Sequence, residues 1–408
     1  MKNLRSPLTA LLLAFAMVIG FLSAAAPADA VVNTGKIIPS PSPTFSGNTL
    51  WSVSCVSSTW CMSAGMSSAS GVLIHFDGTT AVEVPSPNSN HDVRLFGVSC
   101  ASDTHCIAVG TRNRELAAGV ETHILEFDGT NWSVATSPNV GSGDNFLSSV
   151  SCTSSTSCVA VGFYYSDNGP RTTPAQPLAM TWDGDDWTIV DVFPTGSGDN
   201  KLNSVSCTSA TSCIAVGEYN SDIEPYSAAS QTLAMTWNGS IWTTANPPNT
   251  NSGDNILTSV SCTSATSCVA VGEYNDGSNL QALALKWEGG SWSSISAPPG
   301  TGDSSLSSVS CVSSTVCVAV GESLTESDLI PLMATWDGTN WTVFAAPTSP
   351  DGGGYSYGIS CSSENSCLVA GQVGWPSQNL LIELTETAPP PTTTTTTSPE
   401  PLAPSFTG

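Results

Sequence analysis

The chain has 408 residues, of which 33 are acidic and only nine are basic, so its formal net charge is −24. This excess of negative charge repels nucleic acid and anionic membranes, and we expect neither as a partner. Charged residues make up only 10% of the chain, which predicts a surface built mainly from serine, threonine, asparagine and glycine.

Residues 1–30 have the pattern of a secretory signal peptide. Lys2 and Arg5 precede an apolar stretch over 8–26, and Ala28-Asp29-Ala30 has the small-x-small form of a cleavage site. The alternative is an N-terminal membrane anchor. We expect removal of residues 1–30, which predicts a secreted, extracellular protein with no membrane span in its mature form.

Fourteen cysteines form seven pairs with the same C-x5-C spacing, and the pairs recur every 45–55 residues. The pairs are Cys55/Cys61, Cys100/Cys106, Cys152/Cys158, Cys207/Cys213, Cys262/Cys268, Cys311/Cys317 and Cys361/Cys367. In an exported chain an even, regularly spaced set predicts disulfides. Zinc is the alternative, but a zinc site needs four nitrogen or sulfur ligands, and each repeat offers only two cysteines. We therefore expect no metal at these pairs.

A repeat of about fifty residues, each with short strands, predicts an all-β, seven-bladed propeller with four antiparallel strands per blade. In the fourth repeat the strands are predicted over 202–207, 213–216 and 232–237, with a last strand that begins at Trp242. Asn238-Gly239 marks the hairpin between the last two strands. Each disulfide should join the first and second strands of one blade. A helical solenoid is disfavoured because the 3.6-residue periodicity is absent.

Most repeats carry two tryptophans around a W-D/N/E-G-x-x-W turn. Four repeats have the complete pair, at Trp182/Trp187, Trp237/Trp242, Trp287/Trp292 and Trp336/Trp341. Exposed rings of this kind could stack on sugars. We expect packing between blades instead, because aromatic rings supply large buried areas and every blade needs the same wedge.

The seventh repeat lacks the W-x-G-x-x-W turn and a fourth strand. The missing strand is predicted at the other end of the chain, over 36–38, so that the last blade is closed by the N-terminal strand. Such closure removes exposed sheet edges. The propeller is therefore predicted over 31–387. Residues 388–408, rich in proline and threonine, are predicted to form a disordered tail with no membrane anchor.

The repeat resembles a family of exported bacterial propeller repeats. The resemblance covers about residues 33–386 and is carried by three motifs: W-S…S-P-N (Trp132 to Asn139), V-S-C (Val150 to Cys152) and C-V-A-V-G (Cys158 to Gly162). The D-G-x-x-W turn is also similar to the Asp-box of sialidase-type propellers, although Asp183 to Trp187 is one step shorter than that box. The resemblance implies the fold and export, but no agreed activity.

Loops after the second and fourth strands of each blade should gather on one face, which we call the variable-loop face. Loops on a rigid scaffold commonly carry binding residues. The candidate binding residues are Tyr164, Tyr165, Glu218, Tyr219, Glu273 and Tyr274. Weaker candidates for calcium, which prefers oxygen ligands, are Asp144, Asp199 and Asp254 in repeated S-G-D-N segments. The alternative for these aspartates is turn formation before a strand.

No catalytic motif is present: the sequence has no H-E-x-x-H, no G-x-S-x-G and no phosphate-binding glycine loop. We therefore predict no catalytic residue, no cofactor and a non-enzymatic monomer that binds an extracellular protein or glycan. One alternative is a glycan-active hydrolase with a carboxylate pair. Another is a structural, cell-wall-associated spacer.

Overall fold

A computed structural model describes residues 32–43, 47–68, 70–87, 92–113, 119–166, 173–222, 229–325, 328–349, 354–374 and 376–386. The predicted signal peptide (1–30) and tail (388–408) lie outside these residues. The described residues form seven four-stranded antiparallel sheets. The chain is thus a seven-bladed β-propeller, as predicted.

Each of the first six blades takes four consecutive strands, from β2–β5 in blade 1 to β22–β25 in blade 6, and blade 7 consists of β26–β28 with β1. The strands are β1 (Thr34–Ile38), β2 (Asn48–Ser57), β3 (Trp60–Ser67), β4 (Ser70–Phe76), β5 (Ala81–Val84), β6 (Val93–Ser102), β7 (His105–Asn113), β8 (Val120–Phe127), β9 (Trp132–Ala135), β10 (Asn145–Ser154), β11 (Ser157–Tyr164), β12 (Gln176–Trp182), β13 (Trp187–Val190), β14 (Asn200–Ser209), β15 (Ser212–Tyr219), β16 (Gln231–Trp237), β17 (Trp242–Thr244), β18 (Asn255–Ser264), β19 (Ser267–Asn275), β20 (Leu280–Glu288), β21 (Ser291–Ser294), β22 (Ser304–Ser313), β23 (Val316–Leu324), β24 (Leu329–Trp336), β25 (Trp341–Phe344), β26 (Gly354–Ser363), β27 (Ser366–Val373) and β28 (Gln378–Thr385).

The ring closes as the sequence predicts. β1 pairs antiparallel with β28, so that Thr34 lies opposite Thr385 and Ile38 opposite Leu381. Beyond β1, the side-chain amide of Asn379 donates to the carbonyl of Pro41 at 2.7 Å. The N-terminal strand therefore supplies the outer edge of the last sheet.

All seven predicted disulfides are present, one per blade. Their members lie directly opposite each other on the first and second strands, as Cys207 does opposite Cys213. The full set is Cys55–Cys61, Cys100–Cys106, Cys152–Cys158, Cys207–Cys213, Cys262–Cys268, Cys311–Cys317 and Cys361–Cys367. The disulfide loops and the W-D-G turns share one end of the ring, which we call the disulfide face.

The second strand of blade 4 is longer than predicted. In blade 4 the predicted strand ended before Gly217, but β15 continues to Tyr219. A Cβ at Gly217 would lie 2.0 Å from the carbonyl oxygen of Lys201. The glycine therefore permits close approach to the inner strand and does not end β15, so Glu218 and Tyr219 belong to a strand.

The tryptophan pairs pack into the core between neighbouring blades. Trp182 and Trp187 are 8% and 7% exposed and belong to the same cluster as Ile107 and Ile124 of the preceding blade. The Trp182 indole also donates to the carbonyl of Ser155 in the disulfide loop at 3.0 Å. The tryptophans therefore pack between blades, as expected for large aromatic side chains repeated in each blade.

The serine of each V-S-C or I-S-C segment joins its blade to the next. The backbone N–H of Cys262 donates to Ser206 Oγ at 3.0 Å, and Cys55 N–H donates to Ser360 Oγ at 2.9 Å across the ring closure. The seven serines of this ladder are Ser54, Ser99, Ser151, Ser206, Ser261, Ser310 and Ser360. The serine ladder satisfies one inner-strand N–H in every blade, because each donor is that blade's first disulfide cysteine.

Candidate functional site

Each inner strand carries one bulged residue that faces the ring axis. The register of blade 4 shifts between Leu202 and Ser204, which leaves Asn203 without a partner on β15. The seven bulged residues line a single axial cavity of about 120 Å³. They are Trp51, Phe96, Ser148, Asn203, Thr258, Ser307 and Tyr357.

The axial cavity has an aromatic side and a polar side. Its aromatic residues come from three consecutive blades: Tyr357 from blade 7, Trp51 from blade 1 and Phe96 from blade 2. The Trp51 and Phe96 ring centroids are 4.9 Å apart. Across the axis the lining is small and polar, and Thr258 donates to the carbonyl of Leu306 at 2.6 Å. The cavity is therefore asymmetric although the fold repeats seven times.

Three glutamates occupy one equivalent position on the second strands of blades 4, 5 and 6. Glu218 lies opposite Lys201, Glu273 opposite Ile256 and Glu322 opposite Ser305 on the inner strands. Each follows the close-approach glycine and comes near the end of its strand at the variable-loop face. We call Glu218, Glu273 and Glu322 the glutamate arc.

One end of the glutamate arc is neutralised. Lys201 Nζ lies 3.2 Å from Glu218 Oε1 and 3.5 Å from Asp199 Oδ2. Burial alone would lower the pKa of Lys201, but the Glu218 and Asp199 carboxylates outweigh it and raise that pKa. Lys201 is therefore held as a cation by its two neighbours.

The other two glutamates have no cationic partner among the residues that the structure describes. Burial, followed by the charge of Glu273, raises the pKa of Glu322 to about 7. Burial, followed by Glu218 and Asp254, raises the pKa of Glu273 as well. Because half-buried carboxylates without a counter-ion resist ionisation, this part of the arc favours a positive charge nearby.

The glutamate arc meets the aromatic side of the cavity at Tyr357. Burial, followed by the charges of Glu322 and of Tyr355, raises the pKa of the Tyr357 phenol. Glu322 therefore lies close enough to a cavity-lining ring to act on it electrostatically. Carboxylates and aromatic faces meet here, a combination that suits a cationic group.

The structure separates the sequence-predicted binding residues into two sets. Tyr164, Tyr219 and Tyr274 pack against the cores between blades, while the adjacent Glu218 and Glu273 point the opposite way, as strand alternation requires. The Tyr219 hydroxyl donates to Gln231 Oε1 at 2.9 Å.

Tyr165 is 6% exposed, and its ring lies edge-on to those of Phe146 and Phe163, with centroids 6.4 and 6.0 Å away. It is therefore held inside the aromatic cluster of blade 3.

Glu322 was not among the sequence-predicted residues. The signal that identifies it is the segment A-V-G-E, which occurs at 215–218, 270–273 and 319–322. Reading outward from the close-approach glycine would have found all three members of the arc.

The aspartates considered for calcium cap the strands of the preceding blade. Asp144 Oδ1 accepts from Val120 N–H at 2.9 Å, and Asp254 Oδ1 accepts from Ser230 N–H at 2.7 Å. Asp199 makes the same contact with Ala175 N–H at 2.8 Å. Each of these aspartates therefore joins its own blade to the preceding one.

No protein-family model matches the chain, and no curated protein is similar to it in sequence. Solved structures with the same fold are numerous. A YCF48 protein bound to a D1 peptide is 13% identical, with a TM-score of 0.54, over 89% of this chain and 98% of that one. The WD40 propeller domain of Doa1 is 11% identical, with a TM-score of 0.52, over 88% and 97%.

A third solved structure is an extracellular domain from a hybrid two component system, BT4673, of B. thetaiotaomicron. It is 11% identical, with a TM-score of 0.52, over 86% of this chain and 39% of that one. At sequence identities this low, the structural similarities establish the fold alone: the chain is a β-propeller. In addition, no helix in the described part of the chain has the length and apolar character needed to cross a membrane.

Proposed function

We propose that this protein is an exported, non-enzymatic propeller that binds a protein or peptide across its variable-loop face. A basic side chain of the partner would lie between the glutamate arc and the aromatic side of the axial cavity. The observation that carries the proposal is the pair of half-buried carboxylates, Glu273 and Glu322, that lack a cationic partner among the described residues.

A cationic ligand group would remove the cost of holding these two carboxylates ionised. Lysine or arginine would gain two charges on one side and, on the other, the faces of Tyr357 and Trp51 for cation–π contact. A solved propeller of similar fold, YCF48, holds a D1 peptide, which agrees with a peptide-binding use of the architecture.

Export is supported by the cysteine pattern and by the pattern of residues 1–30. The structure has seven disulfides, and disulfides are typical of proteins in an oxidising compartment. We propose that the mature protein is extracellular and monomeric. Cell fractionation of the full chain and of a chain lacking 388–408 would separate a free protein from one that the tail holds at the cell wall.

A peptide array tests the binding proposal. The mature protein should enrich peptides with exposed lysine or arginine, and the double variant E273Q/E322Q should bind them at least about tenfold more weakly. E288Q is the matched control, because Glu288 is 64% exposed and already paired with Lys286. Unchanged binding by E273Q/E322Q, or no enrichment of basic peptides, would contradict the proposal.

A glycan-active hydrolase is the second candidate. It is favoured by the proximity of Glu273 and Glu322, since the charge of Glu273 contributes to the raised pKa of Glu322 and glycosidases act through a pair of carboxyl groups. A screen of polysaccharide substrates with wild-type protein and E322Q distinguishes the two candidates. Hydrolysis that disappears in E322Q would favour the enzyme over the binding protein.

A further inference from the structure

Three of the seven bulged residues on the inner strands are aromatic, although the fold does not require a ring there. The equivalent residues in the other four blades are small and polar: Ser148, Asn203, Thr258 and Ser307. The aromatic ones are Trp51, Phe96 and Tyr357, which are half-buried and line the same side of the axial cavity. Because four blades form the same bulge without a ring, these side chains indicate a ligand and not a structural need.

Neighbouring rings hold the aromatic side of the cavity in a fixed arrangement. The Trp51 and Phe96 rings contact each other, with 4.9 Å between their centroids and 39° between their planes. Tyr357 stacks on Tyr355, with 5.9 Å between the centroids and 14° between the planes. Rings that are already positioned lose little freedom when a ligand binds. The aromatic side is therefore formed before a ligand enters.

The polar side of the cavity is engaged with the backbone of the protein. Asn203 Nδ2 donates to the carbonyl of Leu257 at 3.0 Å, and Thr258 Oγ1 donates to the carbonyl of Leu306 at 2.6 Å. These two carbonyl oxygens therefore already accept a hydrogen bond. A lysine ammonium brings three N–H donors, each of which needs an acceptor once its water is lost. A quaternary ammonium group brings none, so this lining suits it better.

The size of the cavity agrees with such a group. Its volume of about 120 Å³ is that of roughly four water molecules. A quaternary nitrogen carries four carbon groups, each of which is similar in size to a water molecule. The cavity can therefore enclose the head of a trimethylated side chain.

We propose that the axial cavity is a site for a methylated ammonium group, which trimethyl-lysine would carry in a peptide. This inference rests on the proposed function and deepens it, because it names the basic side chain that the same site prefers. The rings would contact the methyl groups and face the positive charge, as aromatic side chains do when they bind quaternary ammonium ligands. Glu322, whose charge acts on Tyr357, supplies negative charge beside the cavity without having to accept a hydrogen bond from the ligand.

Calorimetric titration of the mature protein with three forms of one peptide tests this site. A glycine–serine peptide carries one central residue, which is trimethyl-lysine, lysine or the neutral analogue with carbon in place of the quaternary nitrogen. Trimethyl-lysine should bind at least about tenfold more tightly than either of the others, because lysine must lose its strong hydration and the analogue lacks the charge.

The same titrations separate this inference from the proposed function. Lysine that binds as tightly as trimethyl-lysine would overturn the inference but agree with the proposed function. A neutral analogue that binds as tightly as trimethyl-lysine would overturn both, because the site would then not recognise charge.

Variants of Trp51 test whether the rings provide the preference. W51L should lower binding of the trimethyl-lysine peptide to the level of the lysine peptide, and W51F, which keeps a ring, should lower it less. F193L is the matched control, because Phe193 is 73% exposed and lies outside the residues that line the axial cavity. Near-ultraviolet circular dichroism reports whether each variant keeps its fold, and the comparison of the three peptides on the wild-type protein holds even if W51L does not. An unchanged preference in folded W51L would overturn the inference.

Tetramethylammonium chloride distinguishes a peptide side chain from a free small cation as the source of the group. Displacement of the trimethyl-lysine peptide by this salt, but not by sodium chloride at the same concentration, would support the inference and the proposed function together. Binding of tetramethylammonium without binding of any peptide would support the site but contradict the proposed peptide-binding function. If neither tetramethylammonium nor the trimethyl-lysine peptide binds, the inference is wrong.

Discussion

The two faces of the ring are built from the same seven repeats but differ in what they repeat. At the disulfide face every blade has the same disulfide. Between the blades, one inner-strand position is also leucine in six of the seven blades, and Ser356 occupies it in blade 7. At the variable-loop face the residue one step before that leucine position changes with every blade: Thr49, Arg94, Phe146, Lys201, Ile256, Ser305 and Tyr355. Identical side chains indicate a shared structural task, whereas changing side chains leave room for one asymmetric site.

Two adjacent residues of β18 show this contrast between a constant and a changing position. Leu257 is fully buried at a blade interface, whereas Ile256 lies opposite Glu273 at the variable-loop face. We expect Leu257→Ala to lower the free energy of unfolding by about 3 kcal/mol, because it leaves a cavity in packed surroundings. Ile256→Ala should cost less than half as much. Guanidinium unfolding of both variants measures the difference, and equal losses would mean that the two positions do not differ in task.

The disulfides should rank second. Replacing Cys207 and Cys213 together by serine opens a short loop, and the chain-entropy model gives a loss of about 2 kcal/mol. The same pair of replacements at Cys262 and Cys268 should cost nearly the same, because the two blades repeat the same register. Thermal unfolding of the two double variants provides the test. Widely different losses of stability would show that the disulfides of the two blades do not contribute equally.

The serine ladder offers a smaller and more local test. In Ser206→Ala the half-buried N–H of Cys262 loses its acceptor, and we expect the free energy of unfolding to fall by about 1 kcal/mol. Ser209→Ala is the matched control, since Ser209 bonds within its own exposed loop to Thr211. Denaturant unfolding should give a lower free energy of unfolding for Ser206→Ala than for the control variant. The opposite order would show that the serine ladder does not stabilise the contact between neighbouring blades.

Sequence periodicity was enough to predict the parts that repeat. The C-x5-C pairs and the N-G hairpin predicted the disulfides and the blade count, because both follow from local chain geometry. The closing strand was predicted from the strand that blade 7 lacks, although β1 and β28 lie at opposite ends of the propeller sequence. Gly217 was misread as a strand end, since its close approach to the Lys201 carbonyl depends on a bulge that the sequence does not display. Of the glutamate arc only Glu322 was missed, because the three glutamates come near one another only when adjacent blades are placed side by side.

The two faces should also respond oppositely to pH. At the disulfide face, backbone N–H groups of Asp186 and Asp185 lower the pKa of Asp183, so its contribution to stability is present above about pH 4 and is lost as the pH falls. At the variable-loop face, the pKa of Glu322 is raised from 4.5 to about 7. Its contribution is therefore complete below pH 4.5 and is lost as the pH rises through 7.

Single neutral substitutions separate these two contributions. Asp183→Asn should keep the turn, because Asn238 makes the same two backbone contacts in blade 4, but it should weaken the loss of stability in acid. Glu322→Gln should instead flatten the decline in melting temperature between pH 4.5 and 7 relative to wild type. Melting curves of the three proteins over pH 3–8, at one ionic strength, measure both slopes. Parallel curves for wild type and Glu322→Gln would mean that Glu322 ionises as in water, and the case for a cation-binding site beside the axial cavity would lose its electrostatic basis.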